Sequence, residues 1–182
     1  MNIKRLFDFW LALFALILIG WLIVIFMIVQ AIDTRSSGIF AQQRVGRYGK
    51  LFRIYKLRTI RESGKISPCG KFLRKSKMDE LPQLINILIG DMSFVGPRPD
   101  IVGYYDRLTG ENAKILELRP GLTSEASIKY RNEEKILGVQ SKPLEYNDQV
   151  IFPDKVALNL AYFYNNSLLG DIKIIIKTLI NR

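Results

Sequence analysis

A predominantly helical α/β domain with one small β-hairpin, behind a hydrophobic N-terminal helix, is the fold class this sequence predicts. Three observations carry it: a long charge-free apolar run, two alternating segments around a glycine turn, and short amphipathic stretches punctuated by Gly and Pro. The 182 residues suit one compact domain plus an appendage, divided at residues 1–33 and 34–182.

The appendage comes first. No charged residue occurs from Phe9 to Ile32, and Gln30 is its one strongly polar side chain. About 20 apolar residues cross a bilayer as a helix, so the run is a membrane element by length. It is too long for the apolar core of a cleavable leader, and no small-x-small site follows it before Asp33. Lys4 and Arg5 precede it and a basic block follows. Positive charge favours the cytoplasmic side, so two basic ends argue against a simple crossing; a helix that dips in and returns keeps both ends there, and the choice between returning and spanning stays open. Gly20, near the middle, is where such a helix is expected to bend.

Residues 34–60 read as β-structure. Ile39-Phe40-Ala41 and Leu51 to Arg58 flank the turn Gly46-Arg47-Tyr48-Gly49. Residues 61–77 form a polar loop around Gly64 and Pro68, then a short helix from Lys71 to Lys75. A helix is expected from Pro82 to Ile89, with Leu84, Ile85, Leu88 and Ile89 as its apolar face and Gly90 as its stop. Further helices are expected over 101–108, 112–117, 133–137, 155–165 and 171–181, with an irregular stretch from Leu122 to Arg131. The last helix is apolar over most of its circumference and suits either a membrane surface or a protein core.

Net charge is +10, and it is concentrated. From Arg44 to Lys77 twelve Lys and Arg face the single acid Glu62. Directly after a membrane segment such a block meets anionic headgroups at about 1 kcal/mol per cation. It also precedes an adjacent carboxylate pair, Asp79-Glu80, where it can hold a polyphosphate. There is no His, so acid, base and metal-binding work falls to carboxylates. The lone Cys69 excludes an internal disulfide and, with no His, makes a structural zinc site untenable. No GxxxxGK[ST] or GxGxxG loop occurs, which removes P-loop and Rossmann nucleotide binding.

Asp79 stands where a helix opens, among cations, and is expected to be held ionised with a low pKa. That suits a magnesium ligand or a nucleophile toward phosphorus. Glu80 orients it or acts as base when a second substrate attacks. A plain helix-capping pair is the structural alternative. Lys56, Arg58, Arg74, Arg98, Arg119 and Arg131 are candidates to neutralise a diphosphate, Arg98 above all because Pro97 and Pro99 preset its backbone.

These residues carry a resemblance. Phe40-Ala41-Gln42-Gln43-Arg44-Val45-Gly46, Ile54-Tyr55-Lys56-Leu57-Arg58-Thr59, Met78-Asp79-Glu80-Leu81-Pro82-Gln83-Leu84, the stretch Gly90 to Pro99, and Arg119-Pro120-Gly121-Leu122-Thr123 follow one another in order. The chain resembles, over nearly its whole length, the bacterial sugar transferases, specifically the small monotopic phosphoglycosyl transferases. The resemblance implies transfer of a sugar-1-phosphate from a UDP-sugar to polyprenyl (undecaprenyl) phosphate, releasing UMP. It implies a covalent aspartyl-phosphosugar on Asp79 with Glu80 as partner, Mg2+ held at Asp79, and Lys56, Arg74, Arg98 and Arg131 around the phosphates. It further implies a re-entrant helix and a catalytic domain on the cytoplasmic face of the bacterial inner membrane. The expected partners are UDP-sugar, polyprenyl phosphate and anionic lipid headgroups, with no nucleic acid; a homodimer is left open. Three departures are visible: Gly20-Trp21 stands where many members have Ser-Pro, Ser124-Glu125-Ala126-Ser127 replaces a Gly-x-x-Gln continuation, and Asn159 lies near an Asp of some members. The last two fall where sugar or nucleotide choice is expected to be set, so specificity does not carry over. The competing reading is a non-enzymatic, membrane-tethered basic protein that binds anionic lipid or nucleic acid.

Overall fold

The computed structural model describes residues 3–180. They form eight α-helices and four strands with intervening 3-10 turns, and they divide into two compact units, residues 1–44 with 51–92 and residues 45–50 with 93–182.

Unit 1 begins with α1 (Ile3–Thr34), 32 residues of unbroken helix. At 1.5 Å per residue it is about 48 Å long, enough to cross a bilayer by length and composition. Most of it is uncovered: Trp10, Phe14, Leu18, Trp21, Ile28 and Ile32 are all exposed. Helical hydrogen bonding continues through Gly20, so no loop interrupts the expected bend point. One turn there is unusual, since the Trp21 indole N–H donates to the Leu18 carbonyl at 2.9 Å. Both ends of α1 are tied to unit 1. Arg5 donates to the carbonyls of Ile87 (2.5 Å) and Leu88 (2.7 Å). At the other end Asp33 accepts from Arg61 at 2.5 Å, and the buried Gln30 accepts from Ser67 at 3.2 Å.

β1 (Ile39–Val45) and β2 (Leu51–Leu57) form the expected hairpin, an antiparallel two-stranded sheet. In β2, Ile54 and Leu57 are buried while Leu51 and Arg53 are exposed. α2 (Pro68–Lys75) starts where chemistry allows: Pro68 occupies the first turn, where its missing N–H costs nothing. Ser67 caps it by accepting from Gly70 N at 2.9 Å, a contact of about 1 kcal/mol. A side chain at Gly70 would strike the Thr59 carbonyl at 2.6 Å, so the close approach of α2 to that loop requires glycine. Leu73 is the fully buried residue of α2.

α3 (Gln83–Ile89) ends at Gly90 as expected, with φ 101° in the left-handed region. Its expected face needs correction. Gln83, Leu84, Asn86 and Ile87 are buried, whereas Ile85 and Ile89 are 41% and 61% exposed. The polar Asn86 turns inward because its amide completes the edge of β2, accepting from Tyr55 N at 3.1 Å and donating to the Arg53 carbonyl at 2.7 Å. That rotates the apolar pair Ile85 and Ile89 outward.

Unit 2 is built around Val45, Tyr105, Ile115 and Val156, with Leu108, Leu116, Phe152 and Leu160 packed against them. β3 (Ser93–Val95) pairs in parallel with β4 (Gly121–Thr123), Ser93 opposite Gly121 and Val95 opposite Thr123. A 3-10 segment, Gly110–Glu117, replaces the helix expected over 112–117. The helix expected over 101–108 is a single 3-10 turn, Tyr105–Arg107, because Gly103 sits at φ 111° and its N–H is taken by Asp106 at 2.6 Å. The stretch expected to be irregular holds α4 (Glu125–Lys129), capped by Ser124, which accepts from Ser127 N. α5 (Glu133–Gly138), α6 (Pro143–Tyr146), a π-helical turn (Asn147–Ile151), α7 (Phe152–Asn165) and α8 (Leu168–Ile180) follow. α8 buries Asp171 and Ile174 within unit 2 and leaves Leu169, Ile176, Leu179 and Ile180 exposed.

Candidate active site

The site in unit 1 is set by the passage from α2 to α3. α2 stops at Lys75, and Lys77 takes a left-handed conformation (φ 58°, ψ 16°), a backbone that non-glycine residues adopt at a cost. That single step turns the chain into the 3-10 turn Met78–Glu80. Leu81 and Pro82 are right-handed helical, and Leu84 N and Ile85 N bond back to their carbonyls, so helical backbone continues from Met78 into α3. Asp79 and Glu80 therefore sit in a 3-10 turn that runs on into α3.

Glu80 is 8% exposed. Lys56, projecting from β2, donates to its Oε1 at 3.1 Å. Asn86 locks α3 to β2 two turns further on, and so fixes the distance between these charges. Asp79 differs: its Oδ1 is buried with no hydrogen-bond partner among the described residues. Burial, and then the neighbouring Glu80 carboxylate, raise its pKa above the ordinary carboxylate value; Lys56, Lys77 and Arg74 pull the other way and are outweighed. The expectation of a low pKa is thus corrected. Desolvation penalises the charged form more than partly solvated cations relieve it.

Lys56, Arg74, Asp79 and Glu80 belong to unit 1, and the electrostatics of Asp79 register Lys56 and Arg74 directly. Arg98 and Arg131 belong to unit 2. Arg98 is exposed on its proline-flanked turn, which the β3–β4 pair fastens to the Arg119-Pro120-Gly121 turn. Gly121 N donates to the Pro97 carbonyl at 2.8 Å, and a Cβ on Gly121 would lie 2.1 Å from Gly96 N. Two motifs over twenty residues apart are thereby one backbone feature. Arg131 is exposed between α4 and α5. Arg58 is engaged within the hairpin region, donating to the Ser37 carbonyl at 2.8 Å and lying over the Phe40 ring. Asn159 is buried and donates to the Tyr105 hydroxyl at 2.8 Å, which makes it a core residue of unit 2.

Sequence reasoning passed over Lys77 and Gln83 as site residues. Gln83 is 2% exposed and its Nε2 has no partner among the described residues.

No cluster of three or more His, Cys, Asp or Glu side chains forms among the described residues. Magnesium is commonly held by one or two carboxylates together with substrate phosphates, not by an all-protein cage. A buried, unpartnered carboxylate oxygen on Asp79 fits that donor set.

A desolvated acid flanked by cations thus lies in a unit that carries an uncovered apolar helix of membrane length. The bacterial sugar transferase profile matches residues 1–182, and the chain belongs to that family. It is 32% identical over 200 residues to the galactosyl transferase CpsE of Streptococcus agalactiae, covering 97% of this chain and 41% of that protein. It is 30% identical to the undecaprenyl-phosphate galactose phosphotransferase of Salmonella typhimurium, covering 97% of this chain and 39% of that one. With the UDP-glucose:undecaprenyl-phosphate glucose-1-phosphate transferase of Caulobacter vibrioides it shares 32% identity, covering 96% and 67%. The chain thus spans about two fifths of the first two relatives and two thirds of the third.

Proposed function

We propose that this protein is a membrane-associated phosphotransferase that moves a sugar-1-phosphate from a UDP-sugar to polyprenyl phosphate. The observation that carries the reading is the Asp79 carboxylate, buried beside an ion-paired Glu80 with one oxygen left unpartnered, in a chain matched throughout by the family. A site that merely bound anions would have no use for a desolvated acid.

In this reading an Asp79 oxygen attacks the β-phosphorus of the donor. The bond from that phosphorus to the bridging oxygen breaks, and UMP departs with the oxygen. Asp79 then carries the sugar phosphate as an acyl phosphate. An oxygen of polyprenyl phosphate attacks the same phosphorus, the aspartyl O–P bond breaks, and the lipid diphosphate sugar leaves with the carboxylate restored. The raised pKa makes Asp79 a more basic and better nucleophile. Glu80, held by Lys56, supplies part of that rise and stays oriented. Lys56 and Arg74 supply positive charge for phosphate oxygens. Magnesium, bound through Asp79, would add positive charge at the same oxygens.

α1 supports a membrane location. Its exposed apolar side chains seek lipid, and ties from both ends to one unit support a helix that enters and leaves by the same face. That face is the cytoplasmic side of the inner membrane, where a lipid phosphate can be met at headgroup depth. The test is UMP release from a panel of UDP-sugars with undecaprenyl phosphate and magnesium. Release that Asp79→Asn abolishes is the expected result; no release with any donor overturns the reading.

A further inference from the structure

Two buried amides lie one turn apart on the same face of α3, and they are treated differently. The Asn86 amide is engaged at both ends by the edge of β2. The Gln83 amide, equally buried, has an N–H group that meets no acceptor among the described residues. A buried donor without an acceptor bears the desolvation cost with no return, and an apolar side chain of the same length would avoid it.

The position of that donor is informative. A 3-10 turn at Met78–Glu80 leads through Leu81 and Pro82 into α3, so residues 79 and 83 lie four positions apart on one continuous helical path. Asp79 Oδ1 is a buried acceptor without a partner and Gln83 Nε2, four residues on, a buried donor without one, and no hydrogen bond joins them. Neither finds a partner among the described residues. A phosphoryl group fits both: its phosphorus accepts the carboxylate oxygen, and its non-bridging oxygens accept N–H donors.

We propose that Gln83 is a substrate contact, its Nε2 donating a hydrogen bond to a non-bridging oxygen of the phosphoryl group that Asp79 attacks. This rests on the transfer reading above. As a phosphoryl group moves between oxygens, charge spreads over its equatorial oxygens, and a prearranged donor stabilises that state. A neutral donor does so without pairing with Asp79 and Glu80, as a cation in that place would.

The test uses the full chain in detergent or nanodiscs, with undecaprenyl phosphate, magnesium and a panel of UDP-hexoses. Gln83→Met removes the donor and keeps the length; Gln83→Glu keeps the shape and guards against a folding defect in the first variant. The expected result is a thermal midpoint unchanged or raised in Gln83→Met. Its kcat is expected to fall about 10- to 100-fold, with KM for the donor within about threefold of wild type. Donors bearing sulfur at a non-bridging β-phosphate oxygen add a readout that a structural role would not move. The rate penalty for one diastereomer should be several-fold smaller in Gln83→Met than in wild type. Wild-type kcat in both variants, or a sulfur penalty identical to wild type, overturns the proposal. Absence of turnover in the wild-type protein overturns the transfer reading and this proposal together.

Discussion

The two carboxylates of the dyad share a turn and have opposite fates. Glu80 is paired with Lys56 and buried in a compensated state. Asp79, one residue earlier, is desolvated, repelled by Glu80 and left with an unsatisfied oxygen. Such an arrangement costs stability, and the contrast supports the proposal that Asp79 is the acid kept for chemistry.

The most forceful way to break the comparison is Asp79→Asn. Turnover and covalent labelling from radiolabelled UDP-sugar should fall by at least about 1000-fold. The thermal midpoint should hold or rise, because a destabilising buried charge is gone. A fall in both would mean that Asp79 is structural. Lys56→Met attacks the other acid. It strands Glu80 without its partner, so stability should drop by about 3 kcal/mol in denaturant melts, with activity lost alongside.

Titration sharpens the contrast. The folded chain holds the Asp79 proton more tightly than the unfolded chain does, so wild-type stability should decline as pH climbs through and above the ordinary carboxylate range. Asp154, whose pKa is lowered by Lys129, acts with the opposite sign. Subtracting the Asp79→Asn profile isolates the Asp79 contribution. Turnover should rise with pH over the same window, since the ionised form attacks. Smaller effects belong to the exposed cations. Lys77→Gln, which removes a charge that Asp79 feels, should raise KM for the donor by up to about tenfold, with melts within about 0.5 kcal/mol of wild type.

The sequence exposed the apolar helix, the hairpin, α2, α3 and the dyad because each is written in local pattern: a run, an alternation, a cap, a stop. β3 and β4 were not legible. Three-residue strands carry no periodicity, and their pairing depends on backbone contact between Gly96 and Gly121, which only the folded chain brings together. The inward face of α3 was misread for a related reason. Counting apolar residues gives no weight to Asn86, whose amide finds its partners on β2. α4 was within reach, since Ser124 followed by Glu125-Ala126-Ser127 is an ordinary capping start. The acidity of Asp79 was not, because charge counts along a chain say nothing of how much water the fold removes.

The double tether of α1 bears on handling the protein. Arg5 closes the last carbonyls of α3, a side chain on Gly90 would crowd its guanidinium, and Asp33 and Gln30 hold the opposite end against Arg61 and Ser67. Cutting away the greasy segment to obtain a water-soluble enzyme would unseat the scaffold beneath the reactive acid. Solubilisation will have to come from a surrounding amphiphile, not from a shorter polypeptide.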